Sequence, residues 1–144
     1  MTWAEICEDK FLATLPYRIE TDRWGNLVLS PLPRSRHAEF QTEIAVLLRQ
    51  MMQGGRSIAE CPLETSEGVK ALDVAWVSHN RRKSRSNDPA YLIAPEICVE
   101  VQSPSNSLEE LMARKTLFFE KGAQEFWLCQ ESGKVTFFDP AGEI

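Results

Sequence analysis

Two apolar stretches of the chain each contain one acidic residue at a position where a strand would be buried. Asp73 lies near the start of residues 72–77, and Glu100 lies in the middle of residues 97–102. A carboxylate among valines and isoleucines is costly to bury unless it meets a metal ion or a cationic side chain. Gln102 follows in the second stretch, and Lys115 lies on a predicted helix. This set indicates a metal-dependent site suited to cleaving phosphodiester bonds.

The alternation of side chains along a strand places Glu100 and Gln102 on one face. Asp73 can meet Glu100 if their two strands are neighbours. Hard oxygen ligands of this kind suit Mg²⁺ or Mn²⁺, and the backbone carbonyl of Val101 is a further candidate ligand. The alternatives are structural: Asp73 could bond to a neighbouring turn at a strand entry, and Gln102 could satisfy backbone groups at a strand end.

The helix after the second stretch has an apolar stripe that includes a lysine. Lys115 lies four residues after Leu111 and three before Phe118, so it falls within that stripe. A lysine there loses stability through dehydration unless it reaches solvent or a carboxylate. We therefore predict that its ammonium group pairs with Glu100 in the pocket that contains Asp73.

A longer helix upstream carries two residues that could support this site. His37 shares a helical face with Phe40 and Ile44, so it is either a hydrogen-bonded core histidine or a residue at the rim of the site. Glu43 lies next to the same stripe, and it either joins the site or faces solvent.

A basic cluster lies in the polar segment 78–95, which is predicted to be a loop. Its members are Arg81, Arg82, Lys83 and Arg85. One interpretation is a solvated loop, since charged loops are common. The other is an arm that contacts the phosphates of a nucleic acid beside the cleavage site.

Length and composition restrict the class of protein. The 144 residues suit one domain spanning 1–144, and the net charge of −5 disfavours general attraction to nucleic acid without excluding a local basic face. No apolar run reaches the roughly 18 residues that cross a bilayer, and residues 1–5 lack the features of a signal peptide. The expected location is therefore the cytoplasm, with no membrane partner.

The order of predicted elements favours an α/β fold. A strand, a helix and a strand in succession imply that residues 97–102 pair in parallel with residues 126–129. We expect a small mixed β-sheet flanked by helices. The predicted elements are a helix over 3–15, a hairpin of 17–20 and 27–29, a helix over 35–53 capped by Ser35, strands over 56–63, 70–77 and 96–102, a helix between Ser107 and Gly122, and strands over 126–129 and 135–138.

Several segments in this order resemble the PD-(D/E)XK nuclease superfamily and, more closely, the small restriction-endonuclease-like proteins of the Uma-two type. The matching segments are 29–31, 37–39, 72–78, 95–105, 113–115 and 125–128. The resemblance implies a restriction-endonuclease-like core and Mg²⁺-dependent cleavage of DNA. Because many nucleases act as dimers to reach both strands, we also expect a homodimer. The resemblance also implies that Asp73 and Glu100 hold the metal. Gln102 stands where the superfamily often has lysine, and the family resemblance suggests that Lys115 supplies that cation.

A rival reading is a catalytically silent domain that keeps this fold for protein assembly or for binding nucleic acid. The net acidity and Gln102 favour it, whereas the set of Asp73, Glu100 and Lys115 disfavours it. Titration with Mn²⁺ separates the two readings, because a silent scaffold need not bind the ion.

Overall fold

The computed structural model describes residues 1–144, and its elements follow the predicted order. They are α1 (Trp3–Glu8), a 3₁₀ turn (Leu12–Thr14), β1 (Tyr17–Thr21), β2 (Leu27–Pro31), α2 (Ser35–Met51), β3 (Gly55–Thr65), β4 (Gly68–Ser78), α3 (His79–Arg85), β5 (Ile97–Val101), α4 (Leu108–Glu120), β6 (Glu125–Cys129), β7 (Val135–Asp139) and β8 (Gly142–Glu143).

A six-stranded mixed sheet forms the centre of the molecule, in the spatial order β3-β4-β5-β6-β7-β8. β5 and β6 pair in parallel, and every other neighbouring pair is antiparallel. The predicted parallel pairing and the predicted mixed sheet are therefore confirmed. β1 and β2 form a separate two-stranded hairpin.

Helices cover the two faces of this sheet, each with its own apolar cluster. On one face, Ile44 and Leu48 of α2 pack against Val99 and the other apolar residues of β4 and β5 that point to the same side of the sheet. On the opposite face, Leu111 and Phe118 of α4 pack in the cluster that contains Cys98. The alternation predicted for β5 is therefore correct, and Glu100 lies on the α4 side with Cys98.

The pairing of β4 with β5 is short, and this positions the acidic residues. The register runs only from Trp76 opposite Ile97 to Val74 opposite Val99. The ladder thus ends one step before Asp73 and Glu100 would face each other. At that point the Asp73 carboxylate, instead of a backbone carbonyl, accepts the Val101 N–H at 2.7 Å.

Some predicted boundaries are wrong, and local hydrogen bonds explain them. Residues 78–95 are not all loop: the Ser78 hydroxyl accepts the Arg81 N–H and starts α3. The cap of α2 is Arg34, with Ser35 as the first helical residue. The first helix ends at Glu8, beyond which the Asp9 carboxylate accepts the Leu12 N–H and starts the 3₁₀ turn. None of the helices has both the length and the apolar character of a membrane-spanning segment.

Candidate active site

Asp73 is almost fully enclosed, with 2% of its surface exposed. One carboxylate oxygen contacts the Arg18 guanidinium. The other accepts the Val101 N–H and lies 3.4 Å from Nε2 of His37. Burial favours the neutral acid, but His37 and the charge of Arg18 outweigh it and hold the pKa of Asp73 below its usual range. Asp73 is therefore ionised at neutral pH.

Glu100 is equally enclosed, with 1% exposed, and it behaves in the opposite way. Its Oε1 accepts a hydrogen bond from Nε of Arg114 at 2.8 Å. Burial raises the pKa of Glu100 well above its usual value, and although Arg114 opposes this, the adjacent Asp73 carboxylate adds to it. The two carboxylates thus lie together as predicted, and one has a strong tendency to keep its proton.

The cation beside Glu100 is Arg114, so the predicted pairing of Lys115 with Glu100 is wrong. The Arg114 guanidinium also donates to both oxygens of Glu20, at 3.1 and 2.6 Å. The Lys115 ammonium instead lies 4.5 Å from the centre of the Phe138 ring. Successive residues of a helix point about 100° apart, so only one of these two neighbours can face the carboxylates.

A second group of residues approaches Asp73 from the hairpin and from β3. Arg18 of β1 donates to both oxygens of Glu60, at 2.9 and 2.8 Å, while it contacts Asp73. Glu60 has a φ of +53°, a rare conformation for a residue with a side chain, and the β3–β4 ladder lacks the pair that Glu60 would form with Asp73. Gln41 of α2 donates to the Asp73 carbonyl at 2.8 Å and to Glu60 at 3.1 Å.

The charges of this cluster do not balance. Four carboxylates, those of Asp73, Glu100, Glu20 and Glu60, face two guanidiniums, those of Arg18 and Arg114. Two negative charges are in excess when Glu100 is ionised, and one is in excess when Glu100 keeps its proton. Glu60 is partly exposed, whereas the carboxylates of Asp73 and Glu100 are buried. Excess negative charge in a dry site favours a cation.

The donor chemistry of this cluster fits a hard divalent cation. Carboxylate oxygens have two lone pairs each, so the contacts of Asp73 and Glu100 leave acceptor capacity on both. No three His, Cys, Asp or Glu side chains are grouped to hold a metal ion by themselves. Mg²⁺ binds proteins through one or two carboxylates and keeps several waters, so Asp73 and Glu100 are the side chains that would have to hold it.

A cleft of about 450 Å³ opens at the end of β5, on the side of Asp73 that Arg18 and His37 contact; Asp73 and Glu100 themselves do not line it. Arg18, His37 and Gln102 line it together with residues 103–106 and the start of α2. His37 is 8% exposed, and its Nδ1 is buried without a hydrogen-bond partner. Gln102 and His37 therefore reach the predicted site, whereas Glu43 is exposed on α2 and does not line the cleft.

A family model described as "Putative restriction endonuclease", Uma2, matches residues 9–143. The chain belongs to the Uma2 family. It also resembles a solved structure, described as a putative nuclease belonging to DUF820 from Anabaena variabilis ATCC 29413, with a TM-score of 0.72 and 22% sequence identity. That match covers 92% of this chain and 78% of the other, and it shows a shared fold. Among curated proteins, none matches.

The basic cluster lies at the other end of the sheet of this Uma2 chain. Arg81 donates to the carbonyls of Ala94 and Gly122, at 2.7 and 2.9 Å. Arg85 donates to the Asp88 carbonyl and stacks over the Tyr91 ring. None of the four basic residues lines the cleft beside Asp73. The structure thus gives two of them local contacts and separates all four from the carboxylates.

Sequence reasoning missed five residues of the cluster around Asp73 and Glu100. Four of them are Arg18, Glu20, Gln41 and Glu60, and the fifth is Arg114. Each of the first four comes from a different part of the chain than the acidic strands, and no spacing relates them to Asp73. Arg114 had a detectable signal, because it lies three residues after Leu111 and four before Phe118 and so fits the same stripe as Lys115.

Proposed function

We propose that this chain is a Mg²⁺-dependent endonuclease that hydrolyses phosphodiester bonds of DNA. The observation that carries the proposal is the buried pair of Asp73 and Glu100, which belongs to a cluster with excess negative charge that Arg18 and His37 connect to an arginine-lined cleft. Membership of the Uma2 family supports a nuclease-like function. A buried carboxylate pair is an expensive feature for stability alone, which supports a functional role.

Asp73 and Glu100 would hold the metal ion, with the carbonyl of Val101 as a third oxygen donor. Such an ion, when bound, polarises a phosphoryl oxygen and supplies a water molecule of lowered pKa. The ionised state of Asp73 prepares it to bind a cation, because its pKa lies below the usual range. Glu100 must lose its proton before it can act as a ligand.

The remaining polar residues of the chain would orient these groups and the substrate. Arg114 fixes the Glu100 side chain through its 2.8 Å hydrogen bond. Gln102 lines the cleft at the end of β5, where its amide can hydrogen-bond to a phosphate or a water molecule. His37 holds its Nε2 next to Asp73. Lys115 contacts the Phe138 ring instead of the carboxylates, so it would have no catalytic role.

A second candidate function is the silent domain, and one observation favours it. Arg18 already contacts Asp73, and Arg114 already contacts Glu100, as they would in a purely structural ion-pair network. Such a domain would keep the fold for protein assembly or for nucleic-acid binding. It differs from the nuclease in one measurable property, because its cluster need not take up a divalent ion.

Calorimetry with Mn²⁺ tests both candidates. The parent protein should bind the ion, and Asp73→Asn and Glu100→Gln should each abolish binding, because each removes one of the two charged ligands. Glu67→Gln is the matched control, since it removes an exposed carboxylate that pairs with Arg23 and with none of the cluster residues. Cleavage of plasmid DNA in Mg²⁺ but not in EDTA should show the same pattern. Absence of ion binding in the parent, or equal binding in all variants, would contradict the nuclease.

A homodimer remains a prediction, made because many nucleases act as dimers to reach both strands. Sedimentation analysis of the purified protein would test it. A monomer at the concentrations that support cleavage would remove the dimer from the proposal without affecting the site.

A further inference from the structure

We propose that the cleft beside the carboxylates binds the phosphate backbone of a nucleic-acid strand, with Arg34 and Arg36 as its contact residues. This inference rests on the proposed function, because it assumes that the substrate is a nucleic acid. It moves the phosphate contacts from the predicted cluster on α3 to the opposite end of the sheet. We refer to the space lined by Arg18, Arg34, Arg36, His37 and residues 102–106 as the arginine cleft.

Charge is the first argument for the arginine cleft. The whole chain has a net charge of −5, yet the charged residues that line this cleft are three arginines and one glutamate, Glu131. Arg18 is already paired with Asp73 and Glu60, so the free positive charge of the cleft is that of Arg34 and Arg36. Arg34 and Arg36 are exposed, and neither forms an ion pair. Positive charge concentrated in one concave region of an acidic protein attracts a polyanion to that region.

Unused hydrogen-bond donors are the second argument. α2 begins at this cleft, and its cap residue, Arg34, provides no side-chain hydrogen bond to the first turn. The first backbone bond of the helix is from Ala38 N–H to the Arg34 carbonyl, so the N–H groups of residues 35–37 make none. The start of a 17-residue helix with free N–H groups favours an anion.

The buried histidine gives an independent indication that something binds here. His37 is 8% exposed and lines the cleft, and its Nδ1 has no partner although the atom is buried. Unpaired buried polar atoms are rare in folded proteins because they lose the hydrogen bonds of water. A ligand group or a bound water that enters the cleft would supply the missing partner.

The position of the cleft relative to the carboxylates is the fourth argument. Arg18 lines the cleft and also contacts Asp73, so one side chain connects the two. Gln102 and Ser103 follow the end of β5 and line the cleft, only a few residues after Glu100. A phosphate held by Arg34 and Arg36 would therefore place the neighbouring part of its strand against Arg18 and His37, the two side chains that separate the cleft from Asp73.

The α3 cluster provides a matched comparison. Like Arg34 and Arg36, Arg82 and Lys83 are exposed and form no ion pair. They differ in position, because they lie on α3, away from the carboxylates. The variant Arg34→Gln/Arg36→Gln and the variant Arg82→Gln/Lys83→Gln each remove two positive charges, so both change the net charge from −5 to −7. General attraction to a polyanion falls equally in the two variants. Any difference between them therefore reports local contact.

The experiment is the salt dependence of DNA binding by the full chain. Fluorescence anisotropy would follow a labelled DNA duplex with a single-stranded overhang, in Ca²⁺, over a series of salt concentrations. For the cleft variant we expect affinity to fall on the order of tenfold or more, and the log–log slope to decrease by nearly two, at about 0.9 per lost phosphate contact. The α3 variant should retain the parent slope.

Four results would overturn the inference. They are no binding by the parent, unchanged binding in both variants, an equal loss in both variants, and a loss confined to the α3 variant. Thermal unfolding of each variant confirms that it is folded. Cleavage in Mg²⁺ separates this inference from the proposed function. If binding depends on the cleft and no metal supports cleavage, the nuclease fails alone; if both variants bind and cleave like the parent, the cleft inference fails alone.

Discussion

The two ends of the central sheet both contain arginines, but these arginines have different partners. At the cleft end, Arg18 and Arg114 contact the buried carboxylates of Asp73 and Glu100. At the α3 end, Arg81 mainly contacts backbone carbonyls and lies 3.5 Å from a carboxylate oxygen of Glu96. The first end keeps excess negative charge inside the protein, whereas the second end satisfies backbone groups and leaves other basic residues in solvent.

This difference shows which charges serve the fold. Arg81 provides donors to carbonyls that would otherwise lack partners, a direct contribution to stability. Buried carboxylates in excess of their cationic partners reduce stability, because their desolvation is not fully compensated. Folding stability therefore does not explain the charges at the cleft end, whereas binding of a cation would explain them. Substitutions at the two ends can sharpen or break this comparison.

The largest effect is expected at Arg114. Arg114→Met should destabilise the fold by about 3–5 kcal/mol, because it leaves Glu100 and Glu20 buried without their cation. Lys115→Met is the matched control one residue along the helix. It loses only the contact with the Phe138 ring, and so about 1 kcal/mol or less. Urea unfolding of both variants measures the difference.

Equal losses in the two variants would break the comparison, because they would mean that Arg114 stabilises only through its position on α4. A larger loss for Lys115→Met would restore the original assignment of Lys115 as the partner of the buried carboxylates. Glu20 offers a further check, since Glu20→Gln added to Arg114→Met should recover part of the lost stability by removing one unpaired charge.

The sequence allowed prediction of those features that depend on neighbours along the chain. The face occupied by Glu100 followed from alternation in β5, and its parallel partner strand followed from the intervening helix. The choice between Arg114 and Lys115 did not follow, because both fit the stripe of α4 and only the packed helix selects one. Arg18, Glu20 and Glu60 were beyond reach, since their contacts depend on how the hairpin lies against β4.

A smaller effect is expected at the α3 end. Arg81→Gln should cost about 1.5–3 kcal/mol, the usual worth of hydrogen bonds from a charged donor, because it removes the bonds to Ala94 and Gly122. Arg82→Gln, an exposed neighbour, should leave the unfolding midpoint in urea unchanged. Neither substitution should alter Mn²⁺ binding, whereas those at the cleft end should. Altered Mn²⁺ binding in Arg81→Gln would show that the two ends are not independent.

The smallest effect on stability is a gain, and it depends on pH. The pKa of Glu100 is raised in the folded protein, so the contribution of Glu100 to folding stability depends on pH. This contribution is fully present below the pKa of about 4.3 that glutamate has in the unfolded chain, and it is lost as pH rises through the folded-state pKa. Glu100→Gln keeps a neutral side chain of the same shape at every pH. It should therefore unfold like the parent near pH 4 and exceed its stability by on the order of 1 kcal/mol at neutral pH.

Asp73→Asn should give the opposite profile, which makes it the control. The pKa of Asp73 is lowered, so its contribution is present above the unfolded pKa of about 3.9 and is lost only as pH falls through the folded value. The variant should therefore be less stable than the parent at neutral pH, and the deficit should shrink in acid. Urea titrations of both variants between pH 2 and pH 8 test the pair, because the Asp73 contribution changes only below about pH 4. Parallel profiles would contradict the assignment of one ionised and one proton-retaining carboxylate to the cleft end.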